Sequence, residues 1–574
     1  MASRVGLPYL VSVAAALAVV VIAVLPLTSG TYLITFVFTL IIAFILAQSW
    51  DWVGGQMGYI NLAHYAFYGV GAYALAILLS SGASVLLAFA IAAFVSALVA
   101  LAVSYPLFRL RGDYFAFATL ALLPLCQILA FNLDLLTGGA AGIPLPPHYV
   151  LVPAYYAALL LAVLTFAVSV LINRVRFGYA LKAIRNDEQA AALAGIHLLP
   201  FKIAALMLSA LFAGLAGAVQ IWQIGYLDPP SAFGVDVGLV PIAMALLGGS
   251  GLLLGPLVGV VVLGLAQHLL LVKLTMLQTA LYGAVILLVG RFMPGGLLRM
   301  FDGAAPIAHS EPPSVATIRL RETRTRADGA ALLECRSVTM AFGGLKALDN
   351  VSLVIPTGQI VGLVGPNGSG KTTLFNCISK VFEPTAGEIW FDGNTLSGLR
   401  PDRISRLGIG RTYQSPRPFS DLTVEENVLI PLLFRDAKID PATARPQARD
   451  IAAFGGLGSK LQIHADMLSL QDKKALEFTR ALACNPRLLL VDEVAAGLTP
   501  AEVRHFTGLL RQIRDEQGIT IIWVEHIFWA LAEIVDRLVV MDNGGILADG
   551  TLQDIVRNEN VLRAYLGSKS MEFA

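Results

Sequence analysis

Charge and cysteine are both scarce in this chain of 574 residues. Lys, Arg, Asp and Glu together make up 14% of it, against 56% hydrophobic residues. The four cysteines are Cys126, Cys335, Cys377 and Cys484. None stands in a CxxC pair or at zinc spacing, which argues against a disulfide framework or a structural zinc and leaves them as reduced, structural thiols. A formal net charge of +1 gives no footing for a nucleic-acid partner. The length is too great for one compact domain. There is no short-period repeat. No small-residue cleavage site follows the apolar run from Pro8 to Leu27, so that run is expected to stay as a helix rather than leave as a signal peptide.

The scarcity of charge is uneven. Only eleven of the 40 Lys and Arg residues precede Asp302. Apolar runs near 8–27, 32–50, 62–80, 83–108, 114–132, 150–172 and 202–224 each approach the roughly 20 residues that cross a bilayer. The stretch 237–290 holds one more crossing or three, its ends obscured by Gly248, Gly249, Gly251 and Gly255. Arg109, Arg111 and the loop Arg174–Arg185 are expected to face the cytoplasm by the positive-inside rule. Six crossings then separate Arg4 from Arg174, which puts the N-terminus on the same side. Pro, Ser, Thr and Arg crowd 303–330 without an apolar period, as in a linker. Beyond it, short β-branched runs alternate with amphipathic helices, an α/β signature. The reading is an α-helical polytopic membrane domain over 1–302, a linker over 303–330 and an α/β P-loop domain over 331–574.

The second half carries "GPNGSGKT", with Gly365, Pro366, Asn367, Gly368, Ser369, Gly370, Lys371 and Thr372, and Thr373 continuing into a helical run. An apolar strand, Ile360–Val364, precedes it, which is the context a phosphate loop requires. The glycines let backbone N–H groups turn inward around phosphates, and the helix that follows adds its positive end. Lys371 supplies a point charge to the outer phosphates and Thr372 a hydroxyl for Mg²⁺. About 120 residues later, "RLLLVDEVAAGL" delivers Asp492 and Glu493 to the polar end of a second apolar strand. Asp492 is expected to hold Mg²⁺ through water and Glu493 to polarise the attacking water, since phosphoryl transfer depends mostly on positioning and charge stabilisation. ATP and Mg²⁺ are the implied ligands. The competing reading of the acidic pair is a cap on the next helix.

These motifs resemble the ATPase domain of an ABC transporter. The wording "GIGRTYQ", "DEVAAGLTP", "VEH" and "VLRAYLG" is most similar to branched-chain amino acid importers. The membrane half resembles the permease subunits of the same family in "GYINLAHYAFYGVGAY", "RLRGDYFAFATLAL", "LTGGAAGIPLP", "FGYALKAIRNDEQAAALAGIHLLPFK" and "LLGGSGLLLGPLVG". The resemblance implies that Phe342 stacks on adenine, that Gln414 senses Mg²⁺ and couples to the membrane domain, and that His526 contacts the γ-phosphate. It makes the loop 174–202 a coupling segment, with Arg185, Asp187 and Glu188 as contacts; a solvated charged face is the alternative. Gly54, Gly55, Gly58, Asn61 and His64 stand at a helix break that either binds a solute or lets helices pack closely, and close packing is favoured. Asp51, Asp134 and Asp236 are expected near helix ends at the surface.

The resemblance also implies partners. ABC ATPases work in facing pairs, each nucleotide held by one domain's phosphate loop and the other's signature loop. The family's signature resembles Leu-Ser-Tyr-Gly-Gln; here it reads Leu468-Ser469-Leu470-Gln471-Asp472. Ser469 remains, but Gln471 adds a side chain and Asp472 a negative charge close to phosphate, which is unfavourable; Lys473 and Lys474 are candidates to offset it. The expectation is a fused permease/ATPase half of an importer in the bacterial inner membrane, with the ATPase domain and N-terminus cytoplasmic. It pairs as a heterodimer with a second permease and a second ATPase and receives a branched-chain amino acid or related small solute from an extracytoplasmic binding protein. Import of another small solute is one competing reading, and a regulatory nucleotide-binding subunit with weak hydrolysis is another.

Overall fold

The computed structural model describes residues 19–146, 150–270, 278–293, 295–300, 330–436 and 439–566. The start of the expected first helix, nearly all of the expected linker 303–330 and Gly567 of the C-terminal motif lie outside the described residues. The chain divides into two units: Met1–Leu181 with Leu199–Ala305, and Lys182–Leu198 with Pro306–Ala574.

The first unit is helical. Its principal helices are α1 (Thr31–Gly54), α2 (His64–Ser80), α3 (Val85–Leu107), α4 (Asp113–Asn132), α5 (Leu151–Arg174), α6 (Leu198–Ile224), α7 (Val235–Gly248), α8 (Gly255–Leu270) and α9 (Gln278–Phe292). Among the described residues, six helices are long and apolar enough to cross a membrane: α1, α3, α4, α5, α6 and the run Pro229–Gly248 that ends in α7. The stretch read as one crossing or three contains three helices, α7, α8 and α9. The run at 62–80 is shorter than expected. Its helix, α2, has 17 residues, about 25 Å at 1.5 Å per residue against a hydrocarbon core of about 30 Å.

Helix α1 is apolar all round, and almost every residue from Ile41 to Val53 is buried, as befits a helix packed on several sides. It packs against α5, α7 and α8. Glycines set these approaches. A Cβ on Gly259 would stand 1.7 Å from the Met244 carbonyl oxygen, and one on Gly71 would stand 2.2 Å from that of Gly214.

The second unit is α/β. Its principal strands are β1 (Ala331–Phe342), β2 (Leu345–Pro356), β3 (Ile360–Val364), β4 (Ala386–Phe391), β5 (Ile409–Arg411), β6 (Leu488–Asp492), β7 (Thr520–Val524), β8 (Arg537–Asp542) and β9 (Gly545–Gly550). Six form a sheet in the order β9-β8-β3-β7-β6-β5, parallel except for the last hairpin to β9. Every residue of β3, β6 and β7 is buried, which is why they read as unbroken apolar runs. The other sheet pairs β1 antiparallel with β2 and β4, and its strands alternate buried and open residues.

Helix α10 (Lys371–Ile378) follows β3 directly. Its Leu374, Phe375, Cys377 and Ile378 join one core with side chains from both sheets. That core fixes the loop between β3 and α10, where the glycine-rich motif lies. Cys335, Cys377 and Cys484 are buried and no cysteine is paired; burial pushes the Cys335 thiol up to about 12.

Candidate nucleotide site and coupling segment

The loop from Gly365 to Gly370 needs glycine for geometric reasons. Gly370 has φ 101°, and a Cβ there would stand 2.5 Å from the Ala347 carbonyl oxygen. Lys371, the first residue of α10, curls back into this loop. Its Nζ donates to the carbonyl oxygens of Gly365 at 2.8 Å and Pro366 at 2.9 Å, and lies 3.4 Å from Ser369 Oγ. Burial lowers the Lys371 ammonium below its ordinary value, while Glu493 and Asp492 pull it up. Ser369 is buried, whereas Asn367, Gly368 and Thr372 are open to solvent. Phe342, at the end of β1, is 44% exposed and meets Phe382 edge-on at 5.3 Å.

Strand β6 carries Asp492 at its C-terminal end. Its backbone N–H donates to Thr412 Oγ1 at 3.0 Å. Its carboxylate is buried, and neither oxygen has a hydrogen-bond partner among the described residues. The nearest cation is Arg411, 3.8 Å away and itself held by Asn376 and Ser379 at 2.7 and 2.8 Å. Burial pushes the Asp492 carboxyl up to about 6, against the pull of Arg411 and Lys371. A buried carboxylate without hydrogen bonds, and with its ion-pair partner as far off as Arg411, is costly without a closer cation. This donor set fits Mg²⁺, which takes one or two protein oxygens and leaves its other positions to phosphate and water. Among the described residues no cluster of three His, Cys, Asp or Glu could chelate a metal.

The next residue, Glu493, turns out of the strand with φ 45°. Both of its carboxylate oxygens are engaged. Gln414 Nε2 donates to Oε2 at 2.6 Å, and His526 Nε2 lies 2.9 Å from Oε1. Two residues named from sequence, on separate segments, therefore converge on the carboxylate of a third. Here the Gln414 amide nitrogen faces Glu493.

Three residues support this site in roles that the sequence did not show. Glu525, buried beside His526, accepts from the backbone N–H groups of Ala495 at 2.6 Å and His526 at 3.0 Å. Burial raises its carboxyl and those backbone bonds lower it. Lys474 donates to the carbonyl oxygen of Val494 at 2.9 Å and also to that of Ala496. Arg411 is the third. A charged residue adjoining a strand end within a quoted motif was the available signal for Glu525 and Arg411; nothing local marks Lys474.

Lys473 and Lys474 were candidates to offset Asp472, and neither pairs with it. Lys473 donates to the Asp466 carbonyl oxygen at 3.1 Å. Lys460 does the pairing, with its Nζ 2.7 and 2.6 Å from the two Asp472 oxygens.

Residues 182–198, between two membrane-length helices in sequence, pack within the second unit. Arg417 Nη1 lies 3.2 Å from Asp187 Oδ2 and donates to Gln189 at 3.0 Å. Arg185 Nε is 3.4 Å from Asp421 Oδ2, and the Asp421 N–H donates to Asn186 Oδ1 at 3.3 Å. Arg406 donates to the Gly195 carbonyl oxygen at 2.9 Å. Arg185 and Asp187 thus make the expected contacts, three to seven residues beyond Gln414.

In the first unit the helix break falls where the glycines cluster: α1 ends at Gly54 and α2 begins at His64. A Cβ on Gly55 would stand 2.4 Å from Gly251 N, so close approach accounts for that glycine. Asp51 was expected at the surface and is fully buried, its Oδ1 accepting from Gly251 N at 2.7 Å. The nearby loop needed an acceptor, which a helix-end prediction cannot supply. Asp134 is exposed as expected; the Asp236 side chain lies outside the described set. His64 sits between Ser49 Oγ at 3.1 Å and Ser209 Oγ at 3.3 Å.

Residues 32–290 match the family described as the permease component of branched-chain amino acid transport systems, and residues 348–496 match the ABC transporter family. The high-affinity branched-chain amino acid transport ATP-binding protein LivG of Salmonella typhimurium is 39% identical over 249 residues, covering 41% of this chain and 98% of that protein. BraF of Pseudomonas aeruginosa, described in the same terms, is 36% identical over 253 residues, with 41% and 98% covered. A solved ATP-binding cassette of an ABC transporter in its ADP conformation is 29% identical and covers 42% of this chain and 99% of its own, with a TM-score of 0.38.

Proposed function

The chain belongs to the branched-chain amino acid ABC transporter family, with a permease component and an ATP-binding component in one polypeptide, and from that premise we propose that it is one half of an importer. Cytoplasmic ATP hydrolysis drives entry of a branched-chain amino acid or a related small solute across the bacterial inner membrane. The other half is a second permease with a second ATPase, and an extracytoplasmic binding protein delivers the solute.

The observation that carries this reading is the docking of 182–198 within the ATPase unit beside the segment that bears Gln414. A stretch of chain that leaves and re-enters the helical unit is held by residues three and seven positions from a side chain touching Glu493. A change at the nucleotide therefore has a short path to the membrane helices, through these polar contacts and then along the chain.

Phe342 offers an open aromatic face for the adenine. The loop 365–370 and Lys371 cradle the phosphates, with Lys371 exchanging its carbonyl partners for phosphate oxygens. Thr372, Gln414 and Asp492 would hold Mg²⁺, partly through water, and the ion would neutralise charge on the outer phosphates. Glu493 orients and polarises the attacking water, and His526 and Gln414 fix the carboxylate until nucleotide draws them away. Lys474 and Glu525 position the backbone that follows Glu493.

The test is ATPase stimulation in the purified complex with its binding protein. Leucine, isoleucine and valine are compared with short amides, urea and alicyclic or aromatic acids. Stimulation by one class identifies the cargo. Hydrolysis unaffected by any solute or by the loaded binding protein would contradict coupled import.

A further inference from the structure

The altered signature turn is internally wired. Ser469 caps helix α11 (Leu470–Ala483) and accepts from the Asp472 N–H at 3.1 Å, while its own hydroxyl donates to Asp472 Oδ2 at 2.7 Å. Lys460 Nζ closes the network from outside, 2.6 and 2.7 Å from the same carboxylate. The pair is partly shielded, with side-chain exposures of 37% for Lys460 and 16% for Asp472. Ser469, Leu470 and Gln471 stay exposed.

A serine hydroxyl has one proton to give, and a phosphate oxygen at neutral pH can only accept. Here that proton is committed to Asp472, and the Asp472 N–H is committed to Ser469. The carboxylate is at once neutralised and held by Lys460. The turn therefore shows a facing nucleotide little negative charge and offers it no hydroxyl donor.

We propose that Lys460, Asp472 and Ser469 form a latch in which Lys460 makes the turn tolerant of a facing nucleotide while Asp472 withholds the Ser469 proton from its terminal phosphate. Asp472 and Lys460 act through Ser469 as positioning residues. The proposal rests on the paired-ATPase reading above, and it makes slow hydrolysis at the facing site a property of two side chains rather than of the lost glycine.

Opposite signs distinguish the latch from an ordinary ion pair. The purified complex is assayed for ATP hydrolysis with Glu493→Gln in this chain, so that the facing site dominates, and again in the wild-type background. Asp472→Ala frees the hydroxyl and is expected to raise residual kcat about tenfold, the scale of one hydrogen bond to a charged group. Lys460→Met leaves a bare carboxylate near phosphate and is expected to raise KM for ATP several-fold. The double variant should behave like Asp472→Ala. Thermal melts identify any variant that is merely unfolded, and Asp472→Asn then serves as a milder substitute. A lower or unchanged kcat in Asp472→Ala, or a shift of both single variants in the same direction, overturns the latch. Failure of the paired reading shows separately, as undiminished turnover in Glu493→Gln alone; the sign comparison in the wild-type background still decides the latch.

Discussion

Glu493 occupies the left-handed backbone region at φ 45°, where a long side chain is disfavoured. What holds it there is visible: its N–H donates to the Val524 carbonyl oxygen at 2.9 Å, and its two oxygens engage Gln414 and His526. Strain kept at a strand end beside a phosphate loop points to use rather than to packing. Glu493→Gln keeps the shape and loses the charge, so it is expected to cut ATP turnover by about two to four orders of magnitude, the range for removing a positioned base, while ATP stays bound. Filter retention of labelled ATP beside a phosphate-release assay reads both. Lys371→Ala should do the reverse and abolish retention itself. Asp492 and Glu493 were legible in the sequence because they close an unbroken apolar strand, and Gln414 and His526 were legible through the resemblance of their motifs to the family's. Lys460 and Lys474 were not. Their partners lie 12 residues away in one case and 20 and 22 in the other, and no local pattern announces a lysine that reaches across a turn. Asp51 was misjudged for a similar reason, since its acceptor role depends on Gly251, 200 residues on.

At the level of elements, periodicity carried the parallel strands, because burial on both faces writes itself as continuous apolar sequence. It carried the membrane helices less well. Glycine both packs and ends helices, so the same residues that let α7 and α8 touch blurred their limits. Gly259→Val places side-chain atoms where a Cβ alone would stand 1.7 Å from Met244 O, and it is expected to lower the melting temperature in detergent and the yield of folded protein. Phe375 anchors α10 in the core with no exposure; Phe375→Ala should cost about 3–5 kcal/mol, as large aromatic truncations do, measurable by chemical denaturation. The coupling segment behaves differently. Arg185 and Asp421 have side-chain exposures of 31% and 34%, so their ion pair adds only about 0–1 kcal/mol to stability, and its importance must show in coupling instead. Arg185→Asp is expected to leave the melt nearly unchanged and to lower solute-stimulated ATPase activity several-fold. Arg185→Asp combined with Asp421→Arg should recover much of it. Equal loss in the single and swapped variants would remove this contact from the coupling path.

For the molecule as a whole, one polypeptide carries a permease component and an ATP-binding component in a one-to-one ratio; on the paired reading we propose, the altered signature gives the two halves unequal work. A mass-spectrometric census of the purified complex is expected to find a second permease and ATPase whose signature retains its glycine. A complex of this chain alone would place the Lys460–Asp472 pair at both nucleotide sites. On the proposed reading, hydrolysis governed by Glu493 drives solute inward. Its most direct test is uptake into proteoliposomes with ATP on the side of the ATPase units and labelled leucine with the binding protein on the other. The expected result is accumulation above the external concentration by the wild-type complex and none by Glu493→Gln. Accumulation that persists in Glu493→Gln, or ATP consumption without any solute movement in the wild type, would contradict it.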